Sequence, residues 1–143
     1  TDKIWYKDYT IEDIKSYAET NMVSHVGLEY TKLGPNYLEG TLPVDERTIQ
    51  PYGLLHGGAS CVLSESLGST AGALCVDREK YAVVGVEINA NHIRPVTSGK
   101  VTGHCKPVHV GRKTHIWQTD IYNDDGKLTA TSRLTVMVVE RKK

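Results

Sequence analysis

The sequence has no excess of either charge, because 17 Lys and Arg residues balance 17 Asp and Glu residues in a chain of 143. It therefore offers no broad basic surface for nucleic acid or for an anionic membrane. No apolar run approaches the roughly 18 residues of a membrane-spanning helix, and the first residues lack the apolar stretch of a signal peptide. These absences predict a cytoplasmic protein that binds neither nucleic acid nor membrane.

Cysteine is scarce and follows no disulfide or metal-binding spacing. Cys61, Cys75 and Cys105 are odd in number and far apart, so we expect three free thiols in a reducing compartment. The six histidines form no HExxH motif and no close ligand pair. The segment around Ser60 lacks the last glycine of a GxSxG nucleophile elbow. The sequence therefore predicts no metal, no bound cofactor and no serine nucleophile.

The order of the predicted elements is typical of a single α+β domain over residues 1–143. A helix capped at Thr10 is expected to run to about Asn21. One long helix is expected over residues 57–76, where leucines recur at helical spacing. Strands are predicted at 26–31, 37–44, 81–93, 100–110, 114–122 and 127–139. An antiparallel sheet of this kind would wrap the long helix, and its open edges favour pairing with a second copy.

One carboxylate stands alone in a long neutral stretch. Between Thr48 and Val76, Glu65 is the only acidic or strongly basic residue. On a helical wheel it lies apart from the leucines, on a face of small residues that includes Cys61, Gly68, Ser69 and Gly72. Simple exposure to solvent is one explanation, but a solvated helix face usually carries several charges. The pattern favours a carboxylate placed for chemistry.

The segment before this helix offers donors for a developing oxyanion. Residues 50–58 read QPYGLLHGG and lead into the predicted helix N-terminus. The first N–H groups of a helix lack partners and lie at the positive end of its dipole. Gly57 and Gly58 have no side chain to block a ligand there, and Gln50 and His56 add side-chain donors nearby. An ordinary turn would account for the two glycines equally well.

Residues 50–60 and 64–69, QPYGLLHGGAS and SESLGS, closely resemble the PaaI-like hotdog-fold acyl-CoA thioesterases. The similar branch contains the 1,4-dihydroxy-2-naphthoyl-CoA hydrolases and the enterobactin proofreading thioesterases. Further matching blocks extend the resemblance over nearly the whole chain, at 22–29, 43–48, 83–96 and 134–136. The resemblance implies a curved antiparallel sheet around one central helix. It also implies hydrolysis of acyl-CoA thioesters, with coenzyme A as part of the substrate and not as a cofactor.

The same resemblance implies a catalytic role for five residues, divided between two subunits. The Gly57 N–H would polarise the thioester carbonyl, while Gln50 and His56 position the substrate or a water. Glu65 of the other subunit would act as nucleophile or as general base, and both versions stay open. Ser69, one helical turn later, would orient the water or the carboxylate.

Residues for the rest of the substrate are also implied by the resemblance. Arginine suits the phosphates of coenzyme A, although isolated surface arginines need no special role. The implied contacts to coenzyme A are His92, Arg94 and Arg112 for its polar part, and Val84 and Gly85 for the pantetheine channel. Thr70 would lie near the acyl group, which is expected to be a benzoyl- or naphthoyl-type aryl group with space left by Gly68, Ser69 and Gly72.

Two other functions are compatible with the sequence. One is a hotdog hydratase or dehydratase, which also uses a histidine and an acidic residue on an acyl thioester. The other is a non-catalytic module that binds acyl-CoA or an acyl carrier protein. The loop before the helix and the nine-residue spacing from His56 to Glu65 favour the thioesterase, and the presence of Glu65 disfavours the binding module. The sequence does not decide between coenzyme A and acyl carrier protein, or between a homodimer and a dimer of dimers.

Overall fold

Six antiparallel strands form one sheet around a single long helix in the computed structural model, which describes residues 2–18 and 20–142. The strands are β1 Glu29–Leu33, β2 Leu38–Pro43, β3 Tyr81–His92, β4 Lys100–Val110, β5 Thr114–Tyr122 and β6 Leu128–Glu140. Their order across the sheet is β1-β2-β4-β5-β6-β3, so β1 and β3 are its two edges. The predicted α+β architecture, a curved sheet wrapped around one helix, is confirmed.

The long helix packs its leucines against the sheet, as their spacing predicts. It begins at Gly57 and ends at Leu74, two residues before the predicted end. Leu63, Leu67 and Leu74 are fully buried, and each contributes roughly 1.5–3 kcal/mol through removal of its side chain from water. We number it α3, since two short helices precede it. Among the described residues, no helix combines the length and the apolarity that crossing a membrane requires.

The face of α3 that carries small residues leaves less free space than predicted. An added Cβ at Gly68 would lie 2.6 Å from Leu134 Cδ2, and one at Gly72 would lie 3.1 Å from His115 Nδ1. Both glycines are therefore positions where the helix backbone approaches the sheet closely. The prediction that they leave space for a ring was wrong, because sheet side chains already fill that space.

The N-terminal region differs from the predicted continuous helix. Helix α1 is confined to Ile11–Lys15, followed by a short 3-10 turn, and a separate helix α2 spans Met22–His25. Asn21 caps α2, because its side chain accepts a hydrogen bond from the Val23 N–H at 3.0 Å. Asparagine competes with helical hydrogen bonding in this way and favours caps over helix interiors. The first strand consequently begins at Glu29, not at residue 26.

An aromatic side chain near the N-terminus closes one end of the core. Trp5 stacks on Trp117 with ring centroids 6.4 Å apart, and its indole N–H donates to the Gly34 carbonyl at 2.8 Å. The next residue, Tyr6, donates its backbone N–H to the Leu74 carbonyl at 2.7 Å. This bond satisfies a carbonyl that the end of α3 would otherwise leave unpaired.

Candidate active site

A cleft at the N-terminus of α3 brings together residues from separate segments of the sequence. Gln50, Gly57, His92 and Arg94 line a cavity of about 320 Å³. Gln50 lies in the loop before α3, and Gly57 is the first residue of α3. His92 is the last residue of β3, and Arg94 follows that strand. Other side chains complete the wall, namely Leu54, Leu55, Ser60, Ile93, Pro95, Val96 and Thr129.

The backbone N–H of Gly57 is a free donor in this cleft. Gly57 is the first residue of α3, and its N–H has no hydrogen-bond partner within the described chain. The following N–H, that of Gly58, is capped by the His56 side chain at 2.8 Å. The cap therefore leaves Gly57 open at the positive end of the helix dipole, which is a suitable place for negative charge on an oxygen.

The cap also fixes the proton position on the His56 ring. Because Nδ1 accepts a hydrogen bond from the Gly58 N–H, the neutral ring carries its hydrogen on Nε2 and can donate from there. His56 lines a second cavity of about 350 Å³ beside the first. Its walls are mostly apolar and consist of Met22, Val26, Leu42, Arg47, Thr48, Ile49, His56, Gly58, Ala59 and Val62. The polar cleft and the apolar cavity thus flank the start of α3 and share no lining residue.

The loop before α3 holds the Gln50 amide in one orientation. Gly53, with φ of 83°, closes a four-residue β-turn in which its N–H donates to the Gln50 carbonyl at 2.8 Å. The Gln50 side-chain oxygen accepts from the Tyr52 N–H at 2.5 Å and from the Leu54 N–H at 3.5 Å. Because both partners are donors, the acceptor must be Oε1. The Gln50 NH₂ group is left as a donor for a ligand.

His92 and Arg94 approach the cleft from the sheet. A Cβ added to Gly57 would lie 2.9 Å from His92 Nε2, so the imidazole packs directly against the bare Cα of Gly57. His92 makes no hydrogen bond to any residue that the structure describes. The Arg94 guanidinium donates through Nη1 to the Leu128 carbonyl at 2.9 Å, and its side chain is otherwise exposed.

Glu65 lies elsewhere on α3, over the edge strand β3. Its Oε2 would be 2.6 Å from a Cβ added to Gly85. The residue is exposed in the single chain, and no ion pair or hydrogen bond to the carboxylate is formed within the described residues. Eight residues of helix separate Glu65 from Gly57, which is about 12 Å along the axis at the usual rise. One chain therefore does not place both groups on one carbonyl.

The thiol next to this carboxylate is held in its protonated form. Burial, together with the negative charge of Glu65 one turn later, raises the pKa of the Cys61 thiol above its ordinary value. A protonated thiol is a poor nucleophile. Of the two side chains, Glu65 is the one suited to act on a carbonyl carbon or on a water.

Two further predicted residues lie on α3. Ser69 follows Glu65 by one turn and forms no hydrogen bond within the described chain. The Thr70 hydroxyl lies 2.9 Å from the Tyr30 hydroxyl, so it is turned toward β1 and already has a partner.

The remaining predicted contacts to coenzyme A are dispersed in the single chain. Gly85 lies opposite buried Val136 and faces the helix, whereas Val84 lies opposite exposed Met137 on the outer face. Arg112 lines a separate cavity of about 800 Å³ near the β4–β5 turn. That cavity shares no lining residue with the Gln50 cleft.

Sequence reasoning missed two residues of this region. Ser60 is buried and lines the cleft, and its position three residues after Gly57 was a usable signal, since such residues neighbour one another on a helix. Tyr30, the partner of Thr70, gave no signal because 40 residues separate the two in sequence. Within residues 2–18 and 20–142, no group of His, Cys, Asp or Glu is arranged to hold a metal ion.

Comparison with known proteins assigns the family. Residues 52–130 match the Thioesterase superfamily. The chain is 48% identical to the 1,4-dihydroxy-2-naphthoyl-CoA hydrolase of Escherichia coli, over 95% of this chain and 99% of that one. It is 48% identical to the proofreading thioesterase EntH of Cronobacter turicensis, over 95% and 98%. A crystal structure of a Pseudomonas aeruginosa thioesterase, solved as a glutamine-to-alanine mutant, superposes with a TM-score of 0.95 at 42% identity, over 97% and 100%. The chain therefore belongs to the thioesterase superfamily, the thioester hydrolases built on the hotdog fold.

Proposed function

We propose that this protein hydrolyses acyl-CoA thioesters to a free acid and coenzyme A, in a site shared by two copies of the chain. The Gly57 N–H of one copy would hold the carbonyl oxygen, and Glu65 of the other would act at the carbonyl carbon or on a water. The observation that supports this proposal most directly is that two reactive groups, the Gly57 N–H and the Glu65 carboxylate, both lack a partner within the described residues. The Gly57 N–H is a free donor and Glu65 is a free carboxylate, but they lie too far apart in one chain.

Both forms of the reaction use the same groups and balance without a cofactor. If Glu65 is a general base, it takes a proton from water, the hydroxyl adds to the carbonyl carbon, the C–S bond breaks, and the thiolate takes up the proton. If Glu65 is a nucleophile, its oxygen adds to the carbon and expels the thiolate, and water then hydrolyses the anhydride. In either form negative charge develops on the carbonyl oxygen, to which the Gly57 N–H is free to donate, while the Gln50 NH₂ group would position the substrate or the water.

The edge strand β3 favours pairing of two chains. It has 12 residues, and within the described part of the chain it pairs with β6 alone. Along it, Val84 and Val86 are 46% and 57% exposed. A long edge strand with exposed apolar side chains is a site that proteins cover by pairing. A second copy paired in antiparallel fashion about a two-fold axis would cover it. A dimer of such dimers stays a prediction from the resemblance.

The two halves of the site determine the register of this pairing. Gly57 packs against His92 and Glu65 packs against Gly85, so the shared site requires Gly85 to lie opposite the partner's His92. Both positions face the helix side of the sheet, because both lie opposite buried residues of β6. Directly opposed residues of antiparallel strands must share a face. The pairing with β6 has a β-bulge after Gly85 that absorbs one residue, and the same bulge in the pairing of two β3 strands would put the two-fold axis at Asn89.

The same register would bring close together the two arginines that are expected to bind coenzyme A. Beyond the partner's His92, the partner's Arg94 would run alongside the first residues of β3. There Tyr81 lines the cavity that also contains Arg112. Arg94 and Arg112, which are dispersed in one chain, would then approach each other across the interface. Their paired positive charges suit the phosphates of coenzyme A.

For the acyl group we propose a benzoyl- or naphthoyl-type ring. The apolar cavity beside His56 is about 350 Å³ in volume, which exceeds the ~150 Å³ of an apolar cavity that takes up benzene. Because His56 and Gly58, the neighbours of Gly57 in sequence, line this cavity, a ring bound in it would lie near the helix N-terminus. The relative from Escherichia coli is named for a naphthoyl thioester. An acyl carrier protein in place of coenzyme A stays a second possibility for the carrier.

We place this activity in the cytoplasm, because three free thiols suit a reducing compartment. Release of free thiol from benzoyl-CoA tests the function directly. The wild-type protein should turn over, and Glu65→Gln, which keeps the shape and removes the charge, should lose nearly all of the rate. Glu79→Gln, at an exposed carboxylate before β3, is the matched control and should behave as wild type. Equal turnover by Glu65→Gln would contradict the proposal.

A further inference from the structure

The His92 ring packs against Gly57 in the cleft. Of its ring atoms, Nε2 is the nearest to Gly57, at 2.9 Å from the position of an added Cβ, with Cε1 and Cδ2 at 3.2 and 3.4 Å. The absence of a side chain at Gly57 is what lets the imidazole approach. The terminal nitrogen of the ring therefore lies next to the residue whose N–H is the free donor of the cleft.

Neither nitrogen of this ring is engaged by the described residues of the chain. No hydrogen bond or ion pair to His92 is formed there, although the residue is exposed and lines the cleft together with Gln50 and Gly57. Position 92 ends β3 on the face that carries the helix, opposite buried Ala130. The strand therefore places the His92 side chain at the start of α3.

We propose that His92 is a catalytic residue, which donates a hydrogen bond from Nε2 to the same carbonyl oxygen that the Gly57 N–H binds. This inference rests on the proposed thioester hydrolysis. A carbonyl oxygen only accepts hydrogen bonds and has two lone pairs, so a backbone N–H and an imidazole N–H fill both. No proton is transferred: the bond strengthens as the oxygen gains charge during addition and weakens again when the C–S bond breaks.

This role differs from a contact to a phosphate of coenzyme A. A phosphate contact is distant from the reacting carbon and stabilises substrate and transition state alike, so its loss raises KM. A donor to the carbonyl oxygen acts mainly in the transition state, so its loss lowers kcat. A short N-acetylcysteamine thioester has no nucleotide and separates the two roles.

The kinetic experiment compares His92→Leu with His92→Gln on benzoyl-CoA and on the benzoyl N-acetylcysteamine thioester. Leucine removes the donor, whereas glutamine carries an N–H near the Nε2 position. His92→Leu should lower kcat on both substrates by roughly 10²- to 10³-fold, the usual effect of one oxyanion donor, and His92→Gln should recover a large part of the rate. Asn91→Leu is the matched control, since its side chain lies on the opposite face of the strand, and it should keep wild-type activity.

A spectroscopic measurement separates a donor to the carbonyl from a residue that merely orients Glu65. In the Glu65→Ala protein a thioester with a ¹³C-labelled carbonyl should bind without turnover. Its carbonyl stretch should shift to lower frequency on binding and shift back in part when His92→Leu is added. No effect of His92→Leu on this band would overturn the proposal.

The kinetic outcomes are equally decisive. A loss by His92→Leu confined to benzoyl-CoA and to KM would overturn it in favour of a contact to the nucleotide. A loss in Asn91→Leu as large as that in His92→Leu would overturn it as well, since damage to the strand would then explain both. If the wild type hydrolyses no thioester at all, the proposed function fails first. If the wild type is active and His92→Leu is equally active, only this inference fails.

Discussion

The Glu65 carboxylate lies directly over Gly85, so close that a Cβ on Gly85 would be 2.6 Å from Oε2. Because the clash would be with the end of a flexible side chain, Gly85→Ala should fold and displace the carboxylate. A displacement on the order of 1 Å at a reacting group can cost about 10²-fold in rate. We expect kcat to fall by that order while the thermal unfolding midpoint stays near wild type. A Gly85→Ala protein with full activity would mean that the carboxylate does not act from this position.

The two arginines assigned to coenzyme A should affect binding and not chemistry. Arg94→Ala and Arg112→Ala should each raise KM for an acyl-CoA several-fold with little change in kcat, since a phosphate contact is similar in substrate and transition state. Both variants should match wild type on an N-acetylcysteamine thioester, which lacks the phosphates. Arg133→Ala, at an exposed arginine on the outer face of β6, is the control. Equal losses on the short thioester would show that these arginines act elsewhere.

Acyl-group preference tests the apolar cavity beside His56. We expect kcat/KM to be higher for benzoyl- and hydroxybenzoyl-CoA than for hexanoyl- or acetyl-CoA, because a buried ring contributes roughly 25 cal/mol per Å² of apolar surface. Val62 lines this cavity, so Val62→Trp should fill it and lower the aryl rates more than the acetyl rate. A preference of the wild type for alkyl thioesters would contradict the aryl assignment and leave the hydrolysis itself intact.

Stability should depend on the protonation of His115. Burial lowers the pKa of this imidazole from its ordinary 6.5, with a further contribution from nearby His109. The unfolded chain therefore binds the proton more readily, so this part of the stability is complete above pH 6.5 and is lost as the pH falls below it. One such proton changes the unfolding free energy by at most about 1.4 kcal/mol per pH unit.

Chemical unfolding below pH 6.5 measures this dependence. His115→Gln, which keeps a polar side chain and cannot titrate, should unfold with a flatter pH dependence than wild type. If the unfolding free energy of wild type and of His115→Gln changed equally with pH, this histidine would not contribute to the pH dependence of stability.

Local patterns in the sequence predicted the elements well, because turns and periodicity are local. The strands 100–110 and 114–122 and the first residue of α3 were predicted at the positions where they occur. Contacts between segments that are distant in sequence could not be predicted in this way. No local signal reports that Gly72 meets His115, or that the Thr70 hydroxyl is engaged by Tyr30.

The candidate site shows the same difference between local features, which the sequence predicts, and contacts between distant segments, which it does not. Gln50 and Gly57, which lie on one continuous segment, line the same cleft at the start of α3. The carboxylate over Gly85 and the imidazole against Gly57 could not be predicted without the fold, because β3 brings Gly85 and His92 to different turns of the helix. The relation of Arg94 to Arg112 requires a second chain and stays a prediction.

The central claim is that Gln50 and Glu65 of one site come from different chains. Glu65→Ala and Gln50→Ala, each inactive alone, should be unfolded together, refolded, and isolated as heterodimers through two different tags. Each heterodimer then holds one intact site and one doubly mutated site, so it should recover about half of the wild-type activity. Verified heterodimers that are no more active than the two parent proteins would contradict the shared site.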